Sequence, residues 1–460
     1  MPDSSESNNP GLDLADNMLT KYEQQSVSMF SLVKTLLSTS TMPHIILIVL
    51  FSAILYTVAR IDSVTDFTAM AFTSLSAGYI ITALLAKHKT VNNWITLNDE
   101  IPPNESSLIL RIIYQFRICL FPLISAGVIF LLLIFTTGKD SIIPDANKSF
   151  PLILGMLFII WSIVQGTSFS HWSSTTCAKK SSDAKKLVSM KSSIFILCTT
   201  ISAVSILLAC IFYQLGDINN SLSESLLKSI PFTILALGAT IGSLSYSWNY
   251  KKLSSMKRRL QKFSNRWTTI CHLFITWHLL TIWRQNFMQP SVFQVFIEEI
   301  ALMIFTVFVA IWSMTSKGYK SKFKLITEEN ALTWGLAFGY AYAGSVAMLT
   351  TFFDDIKIVM SIGHGVVIIT VFFAHKLVLR NLIDKDNTIV EVSRIVGKSE
   401  SSTVPNHDNI EIVQTKFESA AKTKPKSEEV WQEDDDVDWN KTQQQVQIDN
   451  IEWDEAIELD

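Results

Sequence analysis

The sequence predicts an all-α, polytopic helical membrane protein with about ten transmembrane helices in five hairpins. Three observations lead to this prediction. Apolar runs of near-bilayer length follow one another between residues 44 and 375. Charged residues make up only 17% of the chain, whereas soluble domains carry about 25%. Basic residues are concentrated in every second loop between the apolar runs. Together these features exclude a soluble enzyme, a fibrous protein and a disordered chain.

Ten apolar runs are candidates for spanning helices. Lipid leaves backbone N–H and C=O groups without partners, so a span must be helical and needs about 20 mostly apolar residues. The third run is long enough to tilt in the bilayer. The predicted spans cover residues 44–59, 67–86, 110–136, 150–170, 193–213, 229–249, 268–284, 292–315, 331–352 and 356–375.

The charges of the loops predict how the chain is oriented. The four loops after the second, fourth, sixth and eighth spans, counted with the two residues at each adjoining span end, hold nineteen Lys and Arg residues. The five opposite loops, counted in the same way, hold six. Basic residues favour the cytoplasmic side of a membrane, so we expect both termini to be cytoplasmic. Two glycosylation sequons, at Asn147 and Asn219, fall in loops that this orientation places outside.

The chain divides into four segments by composition. Residues 1–43 form a predicted cytoplasmic segment, with an amphipathic helix over 13–37 that lies at the membrane interface or packs on the basic loops. Residues 44–380 form the transmembrane domain. Residues 381–427 are predicted to be a polar linker, and residues 428–460 an acidic tail. Both ends of the chain have the composition of disordered segments.

The acidic tail carries the most specific signal for a partner. Residues 428–460 hold thirteen Asp and Glu and one Lys, which gives a net charge of −12. Tryptophan is costly to expose, and as an anchor it fills an apolar pocket while flanking acids steer the peptide to a basic rim. The alternatives are docking on the basic loops of this chain and a solubilising role. The residues concerned are Trp431, Trp439, Ile451, Glu452, Trp453 and Asp454.

One string in the tail resembles a known class of motif. Residues 450–457, Asn-Ile-Glu-Trp-Asp-Glu-Ala-Ile, resemble the tryptophan-acidic motifs read by kinesin light chains, and residues 437–439 look like a second copy. Short acidic Trp peptides are also similar to motifs bound by coat and adaptor subunits. The resemblance implies a cytosolic motor or adaptor protein as the partner of residues 428–460. It covers about eight residues and implies nothing about the membrane domain.

Ionisable residues inside predicted spans are candidate site residues, because charge is expensive in lipid. His272 and His278 lie six residues apart on the seventh span, which predicts that they point to opposite faces and do not share a pore or a metal ion. Arg284 ends that span, and Glu298 and Glu299 enter the next one. Antiparallel packing would bring Arg284 near the glutamates, as an ion or proton gate or as charges that reach the interface.

His364 is the best single candidate for a buried titrating group. It lies within the tenth span between Gly363 and Gly365, which permit close helix approach or local unwinding. A hydrogen-bonded core histidine is the alternative. His375 follows eleven residues later on the same helix face. Of the cysteines, Cys177 is predicted in a polar Ser/Lys loop, and the others lie in or beside apolar runs.

Three classes of function remain open. A transporter, channel or lipid-moving protein is favoured, and a trafficking or tethering protein with a recruiting tail is the alternative. An intramembrane lipid- or glycan-modifying enzyme is the third class and the weakest, because the sequence lacks P-loop, HExxH and GxSxG motifs. We expect no cofactor, no metal ion and no nucleic-acid partner. The lipid bilayer itself is the predicted environment, and the sequence does not distinguish plasma membrane from endomembrane.

Overall fold

The chain is described from a computed structural model. The structure describes residues 14–26, 42–58, 65–86, 116–137, 150–183, 185–217, 219–247, 256–288 and 356–400, with separate positions at 33–34, 37, 88, 90–91 and 142 and between 290 and 341. Every regular element among these residues is helical, which confirms the predicted all-α class. The helices are α1 (Leu14–Gln24), α2 (Met42–Val58), α3 (Thr65–Leu85), α4 (Leu120–Thr137), α5 (Phe150–Lys179), α6 (Met190–Gly216), α7 (Leu222–Ser247), α8 (Arg258–Trp283) and α9 (Ile356–Glu400).

Five described helices are long and apolar enough to cross a membrane. The segments concerned are Phe67–Leu85, Arg117–Thr137, Met190–Gly216, Leu222–Ser245 and Lys357–Asp386, of 19 to 30 residues. At 1.5 Å per residue they measure about 28 to 45 Å, compared with a hydrocarbon core of about 30 Å. They account for five of the ten predicted spans and are compatible with membrane insertion.

Large apolar side chains cover the outer surface of the helices. On α5 the exposed residues include Leu152, Met156, Ile159 and Ile163, which recur every three or four residues and form one face. In α4, only Pro122, Ala126 and Thr137 are buried. A soluble protein rarely leaves apolar faces of this size in water. Lipid is therefore the solvent that suits this surface.

The helices pack in two connected groups. In the first, α3 packs along α4, and a Cβ at Gly78 would lie 2.8 Å from the backbone of Ala126 and Pro122, so glycine permits the close approach. In the second group, α8 lies in the middle and contacts α1, α5, α6, α7 and α9. Helix α3 also contacts α5 and joins the two groups. Helix α8 therefore occupies the position most shielded from the surroundings.

Helix α9 is longer than predicted. The composition of the chain predicts a polar linker from residue 381, but α9 continues unbroken to Glu400. Leu379, Leu382 and Ile383 are buried and share one core cluster with Leu19 and Tyr22 of α1. The prediction of a linker was wrong over 381–400. At the start of this stretch, apolar residues at helical spacing pack on another helix, despite their charged neighbours.

The end of α5 gives a second correction. The Ser and Lys residues around Cys177 predict a polar loop, whereas the structure places Cys177 in α5, where it is fully buried. Hydroxyl groups explain the difference. Ser173, Ser174 and Thr176 each donate to a carbonyl three or four residues earlier in the same helix, at 2.8 to 3.2 Å. These residues are polar in composition but satisfy their own hydrogen bonds within the helix.

Helix α1 packs on the protein. Its buried face includes Met18, Leu19 and Tyr22, and it contacts α5, α8 and α9. Arg259 of α8 donates to Asp16 Oδ1 at 3.3 Å and to Glu23 Oε2 at 2.6 Å. Burial raises the pKa of the Tyr22 phenol above its ordinary value, so that side chain is neutral at physiological pH. The sequence left two placements open, at the membrane interface or against basic residues of the protein, and the described α1 packs against basic residues. It is also shorter than the predicted helix over 13–37.

Candidate functional site

Helix α8 brings polar side chains into the middle of an apolar shell. Seven of its buried side chains carry a hydroxyl, amide or imidazole group. Six of the eight histidines in the chain are buried in helices, although histidine usually lies partly exposed. The buried polar residues of α8 are Gln261, Ser264, Thr268, His272, Thr276, His278 and Thr281. This polar line is the candidate functional site.

His278 of α8 and His364 of α9 form a buried hydrogen-bonded pair. Their Nδ1 atoms are 2.9 Å apart, and the exposed fractions of the two residues are 0% and 3%. The ring centroids are 5.2 Å apart. The Nε2 of His278 is buried and has no hydrogen-bond partner among the described residues. A water molecule or a ligand group that enters the site therefore has an atom to bind.

The Nδ1–Nδ1 contact restricts the protonation of the pair. One Nδ1 must donate and the other accept, so in the neutral pair the two imidazoles are opposite tautomers. One added proton gives a pair in which both Nε2 atoms carry hydrogen and the Nδ1 atoms share one. A fourth proton would set two N–H donors against each other at 2.9 Å. The pair can therefore take up one proton and release one at the other end.

Close helix packing holds His364 in place. A Cβ at Gly363 would lie 2.2 Å from the Phe158 ring of α5, so this glycine permits α5 to approach α9. Gly166, nearer the C-terminal end of α5, also permits close approach to α9, because a Cβ there would lie 2.8 Å from the side chain of Thr370. Of the two roles that the sequence suggested for the flanking glycines, close approach applies at Gly363. Local unwinding does not occur, because α9 is continuous through both glycines.

A second polar cluster lies nearer the N-terminal end of α8. The Nδ1 of His272 is 2.7 Å from the Thr268 carbonyl oxygen, which can only accept, so Nδ1 carries the hydrogen. The Nε2 of His272 then accepts from the Ser243 hydroxyl of α7 at 3.0 Å. Thr268 Oγ1 lies 3.0 Å from Nε2 of His375, whose ring meets that of His272 edge to face. Two histidines of α9 thus face α8 along one side.

This arrangement corrects the prediction that His272 and His278 point to opposite faces. Both rings contact a histidine of α9, at His375 and His364 respectively. Six residues on a helix turn by about 240°, which separates the two directions by about 120° and not by 180°. Both side chains can therefore reach the same neighbouring helix. The inference that they cannot line one path does not hold.

An ion pair closes the far end of α8. Arg284 Nη2 pairs with Glu298 Oε2, and both side chains are at least nine-tenths buried. The Thr281 hydroxyl donates to the other carboxylate oxygen of Glu298 at 3.0 Å, and the Arg284 guanidinium lies 4.9 Å from the centre of the Phe212 ring. Residues Arg284–Met288 form a π turn, an irregularity that is frequent at functional sites. The structure brings Arg284 and Glu298 together, as antiparallel neighbours would.

A cavity of about 810 Å³ adjoins the ion pair. It lies between α5, α6, α8 and the helical positions described from 293 to 305. Arg284, Gln294 and Glu298 are the polar residues among the described ones that line it. Six of its fourteen described lining residues are aromatic, namely Phe169, Phe212, Phe274, Trp277, Phe293 and Phe305.

Some contacts in the site were not foreseen. Thr268, Thr281 and Ser243 bind the candidate residues, but serine and threonine in a helix usually satisfy the local backbone and give no separate signal. His44 of α2 was also missed, and its Nδ1 lies 2.9 Å from the Tyr79 hydroxyl. In the described part of the chain, no group of three or more His, Cys, Asp or Glu side chains is placed to hold a metal ion.

Other candidate residues lie apart from α8 or outside the described residues. Asn219 is exposed in the turn between α6 and α7. Glu299, Asn147, Trp431, Trp439, Ile451, Glu452, Trp453 and Asp454 fall outside the described residues.

Comparison of the chain with family models, with curated proteins and with solved structures gave no match.

Proposed function

We propose that this chain is an integral membrane transport protein that moves protons along α8, alone or coupled to a solute. The observation that carries this proposal is the His278–His364 pair, which is fully enclosed by helices and leaves one Nε2 open. Burial of polar atoms without hydrogen-bond partners is costly, so an ionisable side chain in the centre of a membrane protein is typical of a functional site. The Arg284–Glu298 pair beside it serves as the gate at one end of the path.

The proposal includes ten spans with both termini in the cytoplasm. Helices α2, α5 and α8 have 17, 30 and 26 residues and supplement the five most apolar helices. The runs at 292–315 and 331–352 complete the count. In this orientation the Arg258 end of α8 is cytoplasmic and the Arg284 end is outside, which agrees with the excess of basic residues in alternate loops.

The path uses the two histidine clusters in turn. A proton that arrives from the Arg284 end binds Nε2 of one member of the His278–His364 pair, and the shared Nδ1 proton shifts so that the other member releases one. His272 lies six residues before His278 in α8, about 9 Å closer to the Arg258 end, and receives the proton through water. The cluster of His272, Thr268 and His375 then delivers it toward the Arg258 end.

The test is proton flux through the purified full-length protein in liposomes that contain a pH-sensitive dye. A potassium gradient with valinomycin supplies the driving voltage. His278→Gln and His364→Gln keep a hydrogen-bonding side chain but cannot titrate, and each should lower the flux about tenfold or more.

The matched control is His88→Gln, because His88 is exposed and does not belong to the buried polar line of α8. This variant should conduct like the wild type. Wild-type flux no greater than that of protein-free liposomes would overturn the proposal, and so would full flux in both pair variants.

A second function rests on the tail and concerns location. Its three Trp residues among thirteen acids support recruitment of a cytosolic motor or adaptor protein by residues 428–460. The test is capture from cytosol with the wild-type tail and with a tail in which Trp431, Trp439 and Trp453 are changed to Ala. Capture of a motor or adaptor by the wild-type tail alone supports the proposal, and equal capture by both contradicts it.

A further inference from the structure

We propose that the cavity beside Arg284 binds a sterol-class lipid, with the sterol hydroxyl hydrogen-bonded to the Arg284–Glu298 pair. This inference goes beyond proton transport and holds whether or not protons move along α8. The cavity volume of about 810 Å³ lies within the range of about 300–1,000 Å³ that is typical of small-molecule sites. The entrance, the polar end and the walls of the cavity each restrict the class of ligand.

The entrance is apolar. Leu215, Phe293 and Ile297 line the cavity and are also 60%, 71% and 50% exposed, so they mark its rim. An exposed rim of leucine, isoleucine and phenylalanine on a membrane protein faces acyl chains and not water. A ligand therefore enters from the bilayer, and it is a lipid.

The polar end selects a neutral head that both donates and accepts. Arg284 and Glu298 neutralise each other, and Thr281 already donates to one carboxylate oxygen. A hydroxyl group can accept from the guanidinium and donate to the carboxylate without disturbing that balance. A fatty-acid carboxylate would instead meet the negative charge of Glu298, which is unfavourable. Gln294 is already engaged, since its amide oxygen accepts from the Ser291 N–H at 3.0 Å.

The walls exclude lipids with several polar groups. Apart from the Trp277 Nε1–H, the described walls are Phe, Leu, Ile and Ala side chains that have no hydrogen-bond donor. Several ester oxygens of a phospholipid or a diacylglycerol would therefore lie against Phe274 and Phe305 without a partner, which is costly. A single-hydroxyl lipid leaves no oxygen unsatisfied. Between a long-chain alcohol and a sterol, the rigid sterol loses less conformational entropy when it is confined. The stacked pair Phe169–Phe274, with ring centroids 3.7 Å apart, offers a flat surface to a ring system.

The test uses the full-length protein in phosphatidylcholine nanodiscs with dehydroergosterol, a fluorescent sterol that accepts energy from tryptophan. We expect saturable energy transfer that cholesterol displaces. Cholesteryl acetate lacks the hydroxyl donor and should compete about tenfold less well, as expected for one lost hydrogen bond to a buried charged group. This comparison needs no variant, so it does not depend on folding of a mutant.

Two substitutions test the location, and a third tests the polar end. Ala301→Trp fills the cavity and should weaken sterol binding about tenfold or more. Ala203→Trp, on an exposed site of α6 away from the cavity, is the matched control and should bind like the wild type. Glu298→Gln leaves the Arg284 charge uncompensated, so it should shift the preference from cholesterol to cholesteryl hemisuccinate.

Absence of saturable binding to the wild type would overturn the proposal. Equal competition by the acetate, or stronger competition by a fatty acid, would also overturn it. Unchanged binding by a folded Ala301→Trp variant would place the sterol elsewhere and refute the site. Because no pH gradient is applied, these results are independent of the proton-flux test.

Discussion

Two glycines that flank His364 provide a matched pair of substitutions. At Gly363 a Cβ would lie 2.2 Å from the Phe158 ring, and Phe158 is only 3% exposed, so the ring has little room to move. At Gly365 no atom of the described residues lies within 4 Å of the added Cβ. Alanine in place of either glycine gains about 1 kcal/mol of helix propensity. At Gly363 overpacking opposes this gain and costs about 1–3 kcal/mol.

The propensity gain is common to both variants, so the difference between them isolates the clash. We expect Gly363→Ala to be about 1–3 kcal/mol less stable than Gly365→Ala. The assay is thermal unfolding with a thiol-reactive dye, because Cys119, Cys177, Cys210 and Cys271 are buried and become reactive only when the helices separate. Gly363→Ala should also lower proton flux, since it moves α9 away from α5. Equal midpoints for the two variants would refute the close approach of these helices.

Three further predictions follow from charges and from the turn between α6 and α7. Arg284→Met should lower the free energy of unfolding by about 3–5 kcal/mol, because it leaves Glu298 charged and buried; the double substitution to Met should cost less, and equal losses would contradict a buried pair. Arg259→Ala should speed amide hydrogen exchange in α1 but not in α8, and unchanged exchange in α1 would contradict the anchoring role of the ion pairs. In a eukaryotic host the protein should carry a glycan that Asn219→Gln removes, and a site that is never modified would argue against the proposed orientation.

The sequence is sufficient for those features that depend on local pattern. The helices at Met190–Gly216 and Lys357–Asp386 follow from runs of apolar residues, because lipid permits only helices to span it. The approach of Arg284 to Glu298 follows from the short separation of the two residues in the sequence, only fourteen positions. These inferences need no knowledge of which helices pack together.

The central pair could not be predicted, because its members are 86 residues apart. The sequence marks His278 and His364 as costly in lipid but does not say that α8 and α9 are neighbours. The wrong prediction at residues 381–400 has the same cause, because the sequence does not show that α1 covers Leu382 and Ile383 of α9. The same cause also explains Cys177, since the hydrogen bonds of its serine and threonine neighbours are formed only within the helix.

The most direct test of the proposed function is a double-substitution cycle on proton flux with His278→Gln, His364→Gln and both together. If the two imidazoles pass one shared proton, each single variant removes the relay and the double variant conducts no less than either single. If the losses instead multiply, or if neither single variant changes the flux, then the two histidines do not act as one proton-carrying unit.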